Sequence, residues 1–243
     1  MNVGLLIFQL GGNRLENFSQ FIDYPLFKGI KQKDLFRISN CFGLQEKDYA
    51  KGDYIWHAGD EALYLGVVTK GQINIIRDDI LGNRTIISNI HKGNTFGEAY
   101  AISEVVEYPV SIQAATDTKI LLINKHKLTT PCPMSCNFHN QLIKNLLWII
   151  ARKNIRLSSR IECITKKTIK QKVVFYLLDE MKMSGQEKVS IPFNRKELSD
   201  YLNVNRSALS RVLSTLSDEE IIHYNKNEFK ILDMKKIEKI LYE

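Results

Sequence analysis

At 243 residues, 44% hydrophobic and 25% charged, the chain is long enough for two domains with cores of their own and has an ordinary globular composition. Its formal charge of +7 is unevenly placed: residues 1–130 hold 14 Lys+Arg and 14 Asp+Glu, residues 131–243 hold 20 and 13, so the excess lies in the C-terminal half, as in a neutral sensor joined to a nucleic-acid binder. No apolar run nears the ~20 residues of a bilayer span, and Cys41, Cys132, Cys136 and Cys163 form no secretory framework, which excludes membrane-spanning and disulfide-stapled classes and predicts a cytoplasmic protein.

Residues 1–22 read as an N-terminal arm. Its apolar stretch Gly4–Leu10 lacks the basic flank and small-residue cleavage site of an export signal, so it is expected to pack on the body or on a partner chain. Residues 23–130 then alternate short β-like runs with glycines. Leu35, Ile38 and Phe42, about one turn apart, predict a short helix over Lys31–Cys41. The strands Tyr54–Trp56, Leu63–Val68, Ile73–Ile76, Thr85–Ile87 and Thr118–Ile123, punctuated by Gly52, Gly59, Gly66, Gly71, Gly82, Gly93 and Gly97, predict an antiparallel β-roll or jelly roll.

Pro131 and Pro133 end that domain, and residues 131–165 read as a hinge and a long helix from about Asn137 to Ile164. Phe138, Leu142, Leu146, Ile150, Leu157, Ile161 and Ile164 form a narrow stripe along it, which fits either the seam of a parallel homodimer or packing on the chain's own barrel. At the hinge, Cys132, Cys136 and His139 have the chemistry of iron or zinc ligands, and the two thiols could form a disulfide. These three residues are the basis of an alternative in which a redox or metal signal controls the protein.

Residues 166–243 open with a helix over Ile169–Lys182. Asn194 and Glu197 then have capping-box spacing ahead of a helix with Leu198, Tyr201 and Leu202 on its apolar face. Asn203-Val204 makes a turn and Asn205 caps a second helix, whose Ala208, Leu209, Val212, Leu213 and Leu216 point inward. Arg206, Ser207, Ser210 and Arg211 share the opposite face, the layout of a helix whose first turns meet base edges in a major groove. Ile221–Tyr224, a polar turn and Phe229–Leu232 complete a hairpin wing. No paired-carboxylate, triad or phosphate-loop arrangement supports an enzyme. The fold class is therefore α+β in two domains: an N-terminal antiparallel β-roll, a long dimerisation helix and a C-terminal winged helix-turn-helix.

These residues also resemble a known family. Lys51-Gly52-Asp53, Gly59-Asp60, Phe96-Gly97-Glu98-Ala99, Ala151-Arg152-Lys153-Asn154 and the reading head from Arg195 to Leu213 occur in the order and spacing of the Crp–Fnr transcription regulators. The resemblance covers essentially the whole chain. It implies a cyclic-nucleotide-binding-type roll, a homodimer on palindromic double-stranded DNA, and contact with RNA polymerase at promoters. It places the effector pocket at Phe96, Gly97, Glu98, Ala99, Tyr108, Ser111, Leu157 and Ser158.

Cyclic-AMP-binding relatives carry Arg-Ser or Arg-Thr beginning ten residues after the Glu, and a phosphate in a partly buried pocket needs that guanidinium. Here those positions hold Tyr108 and Pro109. Cyclic AMP is therefore not the expected ligand, a different small-molecule effector is, and no cofactor is implied. Gly97-Glu98 is expected to persist for a bend and its hydrogen bonds. On DNA, the resemblance assigns Arg211 to guanine, Arg206 and Ser210 to a base or phosphate, and Arg195 and the Asn205 end of the helix to phosphates. Ser207 stands where relatives carry a Glu that accepts from cytosine, and is expected to be a weak, permissive contact. A reading of another class, a cyclic-nucleotide-binding regulatory partner without DNA binding, would need no basic reading helix.

Overall fold

The computed structural model describes residues 21–31, 34, 37–38, 41–78, 84–103, 105–130 and 137–242. The apolar arm, Cys132 and Cys136 lie outside these residues. The chain divides into two compact units, Met1–Ala151 and Arg152–Glu243.

The first unit holds two four-stranded antiparallel sheets. One orders as β1 (Gln45–Tyr49), β8 (Thr118–Asn124), β3 (Tyr64–Lys70) and β6 (Thr95–Phe96). The other orders as β2 (Tyr54–Trp56), β7 (Ser111–Ala114), β4 (Gln72–Asp78) and β5 (Arg84–His91). This is the expected roll, with β1, β6 and β7 added. Strands β3 and β8 are buried on both faces, which explains their unbroken apolar runs. Val68, Ile120 and Leu122 face the roll interior with Trp56, Ile73, Phe96, Tyr108 and Ile112. Leu65, Val67, Leu121 and Ile123 point the other way, into a second core with Leu26, Phe27, Phe42 and Leu128.

Short helices α1 (Glu98–Ile102) and α2 (Lys125–Thr129) flank the sheets. Asn124 caps α2 by accepting from the His126 and Lys127 N–H groups. In the expected helix after residue 31, Asp34, Arg37, Ile38, Cys41 and Phe42 are helical, and Ile38 and Phe42 are fully buried.

The long helix α3 runs Asn137–Thr165. Its stripe divides in two. Phe138, Leu142, Leu146 and Ile149 are buried in the core of their own unit, as the packing alternative supposed. Leu147, Trp148, Ile155, Leu157 and Ile161 are half or more exposed. Those buried residues all lie before Ala151, in the first unit, whereas Leu157 and Ile161 continue the same stripe into the second; at 3.6 residues per turn Leu147, Trp148 and Ile155 stand off that stripe.

The second unit continues with α4 (Ile169–Ser184), β9 (Lys188–Ser190), α5 (Arg195–Leu202), α6 (Arg206–Asp218), β10 (Ile222–Asn225), β11 (Glu228–Ile231) and α7 (Met234–Tyr242). Its sheet orders β10-β11-β9, all antiparallel. Val173, Val174, Leu177, Leu198, Leu202, Leu209, Leu213, Leu216, Ile222, Phe229 and Ile237 form one core that α4 to α7 and the hairpin share. Thr168 and Gln171 make a full capping box at the start of α4, and Gly185 closes it in the left-handed conformation.

Candidate nucleic-acid interface and sensor pocket

The helix-turn-helix is set by local chemistry. Asn194 Oδ1 accepts from the N–H groups of Lys196 at 2.9 Å and Glu197 at 3.0 Å, and Glu197 Oε2 accepts from Asn194 N–H at 2.8 Å. At the far end of α5, Asn203 adopts φ +52°, a left-handed conformation Asn tolerates, and Val204 N–H returns to Ser199 O at 3.0 Å. Asn205 then caps α6 through Ser207 N–H and Ala208 N–H. Leu209, Leu213 and Leu216 anchor the inner face of α6, with Ala208 and Val212 half-buried beside them. Arg206, Ser207, Ser210 and Arg211 are all exposed on the outer face, together with Asn205 at its start.

The other end of α6 is pinned by two cations. Lys170 Nζ lies 2.7 Å from Glu219 Oε2, and Lys236 Nζ donates to Glu219 O at 2.9 Å. Positive charge at a helix C-terminus also suits the helix dipole. Sequence reading missed both residues, and their only signal was lysines on the flanking helices.

Arg195 lies against the wing. Its guanidinium carbon sits 4.9 Å from the Tyr224 ring centroid and 5.2 Å from that of Phe229. It is half-buried, with Nη1 enclosed and without a hydrogen-bond partner. Burial holds its pKa below the usual arginine value. In the protein alone Arg195 is a cation over two wing rings that ties α5 to the hairpin. On that hairpin His223, Lys226 and Lys230 are exposed, cationic or proton-accepting groups that sequence reading left unassigned.

In the roll, the pocket residues separate. Phe96 and Tyr108 are core. The Tyr108 ring stacks on Trp56 at 4.1 Å and 6°, and Phe96 lies 5.1 Å from Trp56. Tyr108 Oη donates to Tyr64 O and accepts from Tyr64 N–H at 3.0 Å. Burial raises its pKa, so the phenol stays neutral. Ser111 is buried, and its Oγ accepts from Ala58 N–H at 3.0 Å.

Gly97 has φ +74°, and a Cβ there would come within 2.9 Å of Trp56. The bend expected of Gly97-Glu98 is present, with Glu98 buried and Ala99 exposed. Leu157 and Ser158 belong to the second unit, where both are exposed on α3. His139 is buried, its ring 4.4 Å from Phe42. Among the described residues no helix is long and apolar enough to cross a membrane.

Comparison with known proteins agrees with this arrangement. The family described as "Cyclic nucleotide-binding domain" matches residues 46–131, and "Crp-like helix-turn-helix domain" matches residues 171–240. The chain is 26% identical to the "Probable transcriptional regulator flp" of Lacticaseibacillus casei over 88% of this chain and 94% of that protein. It is 23% identical to the "Cyclic AMP receptor protein" of Thermus thermophilus, over 90% and 97% respectively. Among solved structures it shares the fold of FixK2 from Bradyrhizobium japonicum, with TM-score 0.51 at 19% identity over 81% of this chain and 96% of that one. It also shares the fold of a variant of CooA from Carboxydothermus hydrogenoformans, with TM-score 0.56 at 16% identity over 84% and 90%. A nucleotide-binding-type roll followed by a Crp-like reading head, on one chain and in this order, makes the protein a DNA-binding transcription regulator of the Crp–Fnr family, not an enzyme.

Proposed function

We propose that the chain acts in the cytoplasm as a homodimer on two-fold promoter sites, with its DNA affinity set by a small molecule other than cyclic AMP that the roll receives. RNA polymerase is the partner at the promoter. The observation that carries the reading is the division of α6 into an apolar face held by Leu209, Leu213 and Leu216 and an exposed face holding Arg206, Ser207, Ser210 and Arg211. Arg211 donates two hydrogen bonds to guanine, Arg206 and Ser210 reach a base or a phosphate, and Asn205 faces the backbone. The domains on this reading are the arm 1–22, the sensor roll 23–130, the hinge and dimerisation helix 131–165 and the winged helix-turn-helix 166–243. Support for pairing comes from Leu147, Trp148, Ile155, Leu157 and Ile161, which α3 leaves exposed.

Against cyclic AMP stands Tyr108, whose ring and hydroxyl are fully engaged with Trp56 and Tyr64. It brings no positive charge to a phosphate. The test is fluorescence anisotropy on a selected two-fold duplex over a range of salt. Affinity should fall steeply with salt, and Arg211→Ala should cost about 1–3 kcal/mol there while relaxing one base pair. Uniform weakening on all sequences would remove Arg211 from base reading. Binding no tighter to the two-fold site than to random duplex would remove the reading as a whole.

A further inference from the structure

The hydrogen bonds that start α6 determine more than a cap. Asn205 Oδ1 accepts from Ser207 N–H at 2.9 Å and from Ala208 N–H at 3.4 Å. An amide nitrogen can accept neither bond, so the backbone itself fixes which way the Asn205 amide faces. The same oxygen lies 2.6 Å from Ser207 Oγ. Two oxygens that close share a proton, and Oδ1 carries none, so the Ser207 hydroxyl is the donor. A serine hydroxyl has one proton and two lone pairs. With its proton committed to Asn205, exposed Ser207 turns only lone pairs outward. Arg206 and Arg211 on the same face offer donors only.

We propose that Ser207 is a specificity residue acting as a hydrogen-bond acceptor, which selects a base presenting an exocyclic amine in the major groove, cytosine N4 or adenine N6. This rests on the reading of α6 as the helix that enters the groove. At the selected position guanine O6 and thymine O4 are acceptors, and they would face the serine lone pairs. Turning the hydroxyl around to donate would break its bond to Asn205, which shares that oxygen with the first turn of α6. Discrimination therefore comes from repulsion as well as attraction. Ser207 is a reader of one hydrogen-bonding class, not a permissive contact.

The test uses the full-length protein. Wild type, Ser207→Ala and Arg211→Ala each select from a randomised duplex library. Ser207→Ala should relax one position in each half-site, at which wild type selects cytosine or adenine. Duplexes are then made with that amine deleted, 2-pyrimidinone replacing cytosine or unsubstituted purine replacing adenine. Wild-type affinity should fall about fivefold, the worth of one net hydrogen bond, whereas Ser207→Ala should bind both duplexes equally. A purely structural role would lower affinity for both duplexes alike and leave wild type indifferent to the amine.

The proposal is overturned if wild type selects guanine or thymine at the relaxed position, or if Ser207→Ala keeps the amine penalty. It is overturned alone if Ser207→Ala relaxes no position while Arg211→Ala does. If wild type enriches no sequence, the groove reading of α6 falls and takes this proposal with it.

Discussion

At position 108 a phenol lies flat on the Trp56 indole, and its hydroxyl both donates to and accepts from the backbone of Tyr64. Removing the hydroxyl leaves the Tyr64 amide without that partner inside the roll. Tyr108→Phe should therefore lower unfolding free energy by about 1–3 kcal/mol in urea titrations, with affinity for DNA unchanged. Cys163 behaves differently. It is 2% exposed, its thiol donates to Lys172 O at 3.3 Å, and burial pushes its pKa up to about 11 from the ordinary 9.0. Below that ordinary value the thiol is protonated whether the chain is folded or not. Between pH 9 and 11 the unfolded chain releases the proton and the folded chain keeps it, so stability falls as pH rises through this window. Thermal melts from pH 8 to 11 should show a shallower decline for Cys163→Ala than for wild type.

At the scale of elements, what the sequence discloses depends on whether local chemistry or tertiary partners decide the structure. The capping box of Asn194 and Glu197, the turn at Asn203 and the cap of Asn205 are read within a few residues, and the structure has all three. Asn194→Ala should accordingly cost about 1 kcal/mol in unfolding free energy, measured in the same titrations. The strands that escaped notice are those whose pairing is supplied by a neighbour. Gln-Glu-Lys-Asp-Tyr makes β1 only because β8 lies beside it, and Lys-Val-Ser makes β9 against β11 with a single buried side chain. Helix α7 escaped because only Ile237 is fully buried, although Asp233 caps its start by accepting from Lys236 N–H at 3.0 Å. The ring contacts of Arg195 were hidden for a related reason: nothing in sequence shows that Tyr224 and Phe229 will fold under it. The packing of Phe96 and Tyr108 was hidden likewise, since only the folded roll brings their rings together with Trp56 in its interior.

At the scale of the molecule, charge and apolar surface are distributed for different purposes. The excess of positive charge belongs to residues 131–243, and the first 130 are balanced. The apolar residues left on α3 are no part of either unit's core: Leu147 is 62% exposed and Ile155 56%. On the proposed reading a second copy of the chain covers this surface. The double variant Leu147→Glu, Ile155→Glu should sediment as a single chain at micromolar concentration where wild type sediments as a pair. Its melting temperature for the roll should be little changed, because neither side chain supports that core. Loss of high-affinity binding to the two-fold duplex should accompany the change in mass.

Gly66 is where the crowded interior of the roll matters most. A methyl group at this position would fall 2.1 Å from the Phe96 ring, so the strand has been stripped to its backbone to let that ring in. The same ring packs with Trp56 and Tyr108 in the roll interior. Gly66→Ala should therefore displace three aromatic side chains at once, and near-ultraviolet circular dichroism, which reports how rigidly such rings are held, should lose intensity in that variant.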